Sequence, residues 1–283
     1  MKSSVQTVVW ARHAGQWSRV GPPLKPSAED AELSLKALRP VFDQSPGPCR
    51  IAILGVTPEL VLLPWPPTAV LKAFDHSADM IASLWQSHPQ VSSSVYQADW
   101  RALPLDDASM HAAVGDGSLN ALPNLNECAE VLEELHRVLV VGGRIVIRCF
   151  VRPDVPETFQ EVVAAVKRSQ IGSFHALKWR MAMALAGVSR ASVAVADIHD
   201  AFEASFPSRD ALAALTGWPR EVIDSIDAYR GSLTRYVFPT LPELLGLCRP
   251  WFELQSIEHG SYELADRCPM LSLRHITTEA DHE

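Results

Sequence analysis

The chain has 283 residues, 47% of them hydrophobic and 20% charged, with a formal net charge of −8. That balance is globular and allows one large domain or two small ones, while Pro64, Pro66 and Pro67 interrupt the most apolar stretch before it reaches the roughly 20 residues of a membrane span. An acidic chain without a Lys/Arg tract is poorly suited to capturing nucleic acid or an anionic membrane surface.

Trp10 and Trp17 fall on a short amino-terminal helix, which Gly21-Pro22-Pro23 ends. Ser27 caps a helix running to about residue 42. Residues 50–56 are apolar and of strand length. Pro58 then suits the first position of a helix, where a missing N–H costs nothing. A second strand at 69–74 leads into Asp75-His76-Ser77, with Ser77 capping a helix to about residue 86. Strands at 95–98 and 110–114 end in Asp99-Trp100 and in Gly115-Asp116-Gly117-Ser118. Val131, Leu132, Leu135, Val138 and Leu139 have helical spacing, Gly142-Gly143 stops that helix, and residues 144–151 form a fifth strand. From residue 152 to about 245 the patterns are helical and no strand is predicted, which marks a helical insert. Residues 252–258 and 270–276 read as a closing hairpin.

Apolar strands alternating with helices predict a parallel, doubly wound α/β sheet covered on both faces. Ligands bind such sheets at the carboxyl ends of the strands, near the point where strand order reverses. Asp75 closes the second strand, about twenty positions after Gly55, where a carboxylate can accept hydrogen bonds from both hydroxyls of a ribose. Nicotinamide cofactors and S-adenosylmethionine share that diol, and the first turn separates them. A pyrophosphate needs backbone donors at a helix start. Here Gly55-Val56-Thr57-Pro58-Glu59 offers one glycine, a proline without a donor, and a carboxylate. This turn suits a sulfonium better than a diphosphate.

These residues resemble the class I S-adenosylmethionine-dependent methyltransferases. The resemblance covers about residues 50–151 and the closing hairpin, and it implies a seven-stranded, mostly parallel Rossmann-like sheet with a helical insert. By that resemblance Gly55, Thr57, Pro58 and Glu59 form the first cofactor loop. Asp75 and His76 flank the ribose, and Met80 packs near the adenine. Asp99 and Trp100 lie beside the base, and Gly115-Asp116-Gly117 holds the methionine end or the acceptor. Leu135-His136-Arg137-Val138-Leu139 through Gly142-Gly143-Arg144 is similar to the family's segment at the same place. Four segments follow: an amino-terminal helical cap (1–45), a cofactor-binding core (46–151), an insert serving as substrate lid (152–246) and the closing strands (247–283). Trp17 would reach the cofactor from the cap, with Trp10 and Arg19 near it.

The expected activity is methyl transfer to a small-molecule acceptor. Two alternatives stay open. One is non-methyl chemistry of the same cofactor, by cyclisation or aminobutyl transfer; the other is a nucleotide-binding module or an NAD oxidoreductase. Candidate bases are His175, His199 and Tyr229, each with an ordinary packing or surface role as the competing reading. The run Ser173-Phe174-His175-Ala176-Leu177-Lys178-Trp179-Arg180, rich in rings and cations, could orient an acceptor bearing a carboxylate if it faces the strand tips, with a solvated helix face as the competing reading. Five scattered cysteines without CxxC spacing predict reduced thiols in a cytoplasmic protein. No metal site is expected, and a homodimer is left open.

Overall fold

Residues 49–54 alternate between two buried surfaces. Cys49, Ile51 and Ile53 enter one apolar cluster, while Ala52 and Leu54 enter another. A strand buried on both faces requires helices on both sides of its sheet. The structure, a computed structural model, supplies them; it describes residue 17 and residues 20–45, 47–187 and 191–277. Trp10 and Arg19 lie outside the described residues.

The described strands are β1 (Cys49–Leu54), β2 (Ala69–Asp75), β3 (Ser92–Gln97), β4 (Met110–Asp116), β5 (Leu139–Arg148), β6 (Ser192–Ala194), β7 (Arg235–Val237), β8 (Phe252–Glu258) and β9 (Met270–His275). Seven form one sheet in the order β3-β2-β1-β4-β5-β9-β8. β1 pairs in parallel with both β2 and β4, and β9 runs antiparallel to β5 and β8. This is the expected doubly wound α/β sheet with its closing hairpin. Strand order reverses between β1 and β4, so the connections leaving those two strands diverge and open a crevice at their carboxyl ends.

Helix α1 (Ala28–Gln44) covers one face through Leu38 and Val41. Its start is a capping box in which the Ser27 hydroxyl accepts from Asp30 N–H and Asp30 accepts from Ser27 N–H. α2 (Pro58–Val61) carries Pro58 at its first turn, and α3 (Ala78–Leu84) is capped by the Ser77 hydroxyl. α4 (Leu125–Val138) covers the opposite face through Val131, Leu132 and Leu135.

The insert forms its own core. α5 (Phe159–Lys167), α6 (Phe174–Gly187), α7 (Val195–Ser205) and α8 (Arg209–Thr216) pack around Phe174, Phe202 and Trp218. Two expectations are corrected here. The insert is not wholly helical, because β6 and β7 pair as a small antiparallel ribbon. Three residues per strand leave too short a pattern for alternation to show. Gly142-Gly143 does not end α4, which stops at Val138. The glycines lie inside β5, with Gly142 at φ +79° and the β4–β5 register irregular there.

Arg148, at the end of β5, ties α1 to the sheet from a fully buried position. Its guanidinium donates to both Asp116 carboxylate oxygens (2.5 and 3.1 Å), donates to the Tyr262 hydroxyl (2.6 Å), and lies 3.5 Å from Asp30. Removing one member of a buried charge network strands the others. Arg148→Met should therefore lower unfolding stability by about 3–5 kcal/mol in urea denaturation. Adding Asp30→Asn and Asp116→Asn to that variant should recover much of the loss.

Candidate active site

Gly55 adopts φ +104°, a conformation L residues rarely take, and its N–H donates to Phe74 O across to β2. A Cβ placed there would meet Asp75 Oδ2 and the Trp100 ring, each at 3.9 Å. The tips of β1 and β2 thus bring a bare backbone, a carboxylate and an indole together.

Asp75 is buried, and its Oδ1 accepts from Ser77 N–H (2.8 Å). Burial pushes its carboxyl above the ordinary range, opposed by that hydrogen bond and by His76. Trp100 is buried and donates from Nε1 to Phe74 O (2.6 Å), which fixes its ring against the strand tip. It is both a core residue and a cavity wall.

These groups line a cavity of about 170 Å3, partly open to solvent. Gly55, Thr57, Asp75, His76, Met80, Trp100, Asp116, Gly117 and Trp17 all reach it, as does Tyr229 from the insert. Pro58, Glu59, Asp99, Gly115, His175 and His199 do not line it.

The local contacts of these residues account for most of this. Glu59 turns away to hold the amino-terminal segment, accepting from Trp17 Nε1 (3.2 Å) and pairing with Lys25 (3.3 Å). It acts on the cavity by placing Trp17 and through its charge on Asp116. Asp99 is half-exposed and grips Arg101, whose hydrogen bonds hold its carboxyl below the usual range. Gly115 is packed tightly, since a Cβ there would lie 2.6 Å from Ser118 Oγ. Asp116 lines the cavity, but both its oxygens are committed to Arg148. His175 is buried next to Gly21. His199 sits 3.0 Å from Asp200 and 3.7 Å from Asp227. With Glu203 and Asp227 it forms a cluster of metal-ligand type, yet Arg209 already binds both carboxylates there.

The insert supplies the opposite wall, with Lys178, Trp179, Ser225, Ala228, Tyr229 and Tyr236. Lys178 Nζ donates to Ser225 Oγ (3.1 Å), and burial alone pushes its pKa down to about 7. Burial drives the Tyr229 phenol well above its ordinary value, and Tyr229 and Tyr236 interact through their hydroxyls. Lys178 and Trp179 belong to the run from Ser173 to Arg180 that the sequence marks as an acceptor contact, and Tyr229 is one of its base candidates; Ser225 and Tyr236 are not marked by the sequence. The signal in that run is a pair of cations, Lys178 and Arg180, in an otherwise largely apolar helix, FHALKWRMAMALAG.

Residues 56–147 match the family model described as a methyltransferase domain. The match begins directly after Gly55 and includes the tips of β2 and β4 that line the cavity. Residues 56–147 form a methyltransferase domain, on a sheet of the kind expected for the class I S-adenosylmethionine-dependent methyltransferases. No curated protein matches the sequence. Among solved structures, a Rhodobacter sphaeroides chain provisionally named a zinc-dependent alcohol dehydrogenase is similar at TM-score 0.62 and 11% identity, over 96% of this chain and 99% of that one. The 1,6-didemethyltoxoflavin-N1-methyltransferase of Burkholderia thailandensis, with its substrate and S-adenosylhomocysteine bound, is similar at TM-score 0.51 and 12% identity, over 95% of this chain and 88% of that one. At such identities these likenesses show the fold.

S-adenosylmethionine is the cofactor of this methyltransferase, and the residues present fit it. The buried Asp75 carboxylate can accept from two hydroxyls, and the β1 turn offers no pyrophosphate cradle. Among the described residues no helix is long and apolar enough to cross a membrane.

Asp75→Ala should weaken S-adenosylhomocysteine binding by more than about tenfold in calorimetry. In the wild type, affinity should fall as pH drops through the raised Asp75 pKa, because a protonated carboxyl loses half its acceptor role. A second outcome concerns Lys178, whose pKa lies near 7 folded against 10.5 ordinarily. Between those values the unfolded chain binds more protons, so stability should rise with pH across that window. Lys178→Met should flatten this slope and raise stability at neutral pH in chemical denaturation.

Proposed function

We propose that this methyltransferase acts on a small molecule held between the strand tips and the insert. The observation that carries the reading is the two-sided cavity. One wall is Gly55, Asp75 and Trp100; the other is Lys178, Trp179, Tyr229 and Tyr236. A partly enclosed site of this size suits a small ligand better than a polymer.

In this reading Asp75 binds the ribose, Met80 and Trp100 enclose the adenine, and Gly55 lets the backbone approach. Trp17, held by Glu59, covers the site from the cap. Residues 46–151 bind the cofactor, 152–246 roof the acceptor site, 1–45 form the cap and 247–283 close the sheet. When bound, the cofactor supplies an electrophilic methyl group on a sulfonium. The protein aligns the acceptor and excludes water, and good alignment of two reactants is worth about 7–11 kcal/mol of barrier. Tyr229 is the sequence-derived base candidate that reaches the cavity; His175 and His199 are not assigned a catalytic role. The buried, unpaired cysteines suit a reducing compartment, so the proposed location is the cytoplasm.

Neither non-methyl chemistry nor nicotinamide chemistry is favoured by the family match. Product analysis tests the reading. Turnover of S-adenosylmethionine with a panel of small-molecule acceptors should yield S-adenosylhomocysteine. Accumulation of methylthioadenosine instead would overturn methyl transfer.

A further inference from the structure

Lys178 is a buried cation facing the cavity, only 3% exposed. Its hydrogen-bond partner is the neutral Ser225 hydroxyl, and its Nζ lies 5.4 Å from the centres of both the Phe174 and Tyr229 rings. Among the described residues no carboxylate pairs with it. Burying an ammonium without a counter-ion is strongly unfavourable, so such a residue is either neutral or awaits an anionic partner.

The groups facing it are identifiable. On the insert this is the Tyr229 ring, with Tyr236 lining the same cavity. Across the cavity are Asp75, Asp116 and His76. Asp116 is neutralised by Arg148, and Asp75 is held at the β2 tip by Ser77 N–H. Trp179, the next residue, also lines the cavity, and its buried Nε1–H has no hydrogen-bond partner among the described residues. Phe150, Trp179, Tyr229 and Tyr236 give this end of the cavity aromatic walls suited to a flat ring.

We propose that the acceptor is a compact aromatic molecule bearing an acidic hydroxyl, a phenol or an enolised ring, and that Lys178 removes its proton and holds the oxygen for methylation. This rests on the methyl-transfer reading and names its acceptor class. The Lys178 Nζ lone pair takes the hydroxyl proton, giving an ammonium beside an oxyanion. An oxygen lone pair forms the new carbon–oxygen bond as the methyl–sulfur bond breaks. That bond's electron pair stays on sulfur, which becomes a neutral thioether, and the ammonium later returns its proton to water. A lysine left near neutrality by burial is matched to this task, since a general base works best when its pKa lies near the operating pH.

The test uses 4-nitrophenol, whose anion is yellow, titrated into the full chain saturated with S-adenosylhomocysteine. The bound probe should show the anion band at pH values where the free probe is mostly neutral. Lys178→Met should abolish that band and weaken probe binding by about tenfold or more, with S-adenosylhomocysteine affinity unchanged. A wild-type bound probe that stays colourless, or an undiminished band in Lys178→Met, overturns the proposal. So does Lys178-dependent binding of benzoate with no binding of the phenol, which would make the partner a ready-made carboxylate. Failure of the wild type to bind S-adenosylhomocysteine is a separate result and sinks the methyl-transfer reading instead.

Discussion

The reversal of strand order between β1 and β4 is the constraint on which the rest depends. Two adjacent parallel strands whose connections leave in opposite directions cannot close the space above their tips. Everything functional here is a response to that gap. Gly55 keeps one edge bare, Trp100 and Asp75 form its floor, and a long insert after β5 folds back to roof it.

The opposite walls use opposite electrostatics. At the β2 tip a buried carboxylate is left with acceptor capacity, and on the insert a buried amine is left without a carboxylate. Between them Asp116 could have formed a third charged contact, but Arg148 takes both of its oxygens. In the proposed reading the cavity separates a hydroxyl-binding end from a proton-handling end. This division matches the needs of a reaction joining a nucleoside-bearing donor to a second molecule.

Much of the sheet was legible in the sequence because buried parallel strands are short apolar runs separated by polar turns. The Ser27 and Ser77 caps, Pro58 at a helix start and the closing hairpin followed from local chemistry. Asp75 was legible because strand length fixes where its carboxylate must emerge. Asp99 and Asp116 looked equivalent to it, yet their fates depend on Arg101 and Arg148, partners no spacing rule reveals. Lys178 was visible only as part of the run from Ser173 to Arg180. Helix α6 is buried on nearly every side, so nothing in its pattern separated Lys178, which lines the cavity, from Arg180, which pairs with Glu157. Gly142-Gly143 misled because a glycine pair reads as a helix stop, whereas here it absorbs an irregularity between paired strands.

Asn120 joins the two halves of the molecule in one side chain. Its amide donates to the carbonyls of Phe150 and Val237 and accepts from the Phe150 N–H. Phe150 follows the sheet and Val237 belongs to the insert's ribbon, so the roof is riveted to the strand that supports it. A roof fastened in this way does not swing like a flap. Its choice among molecules is made by a preformed mould, whose rim includes Trp17, Val20 and Leu24.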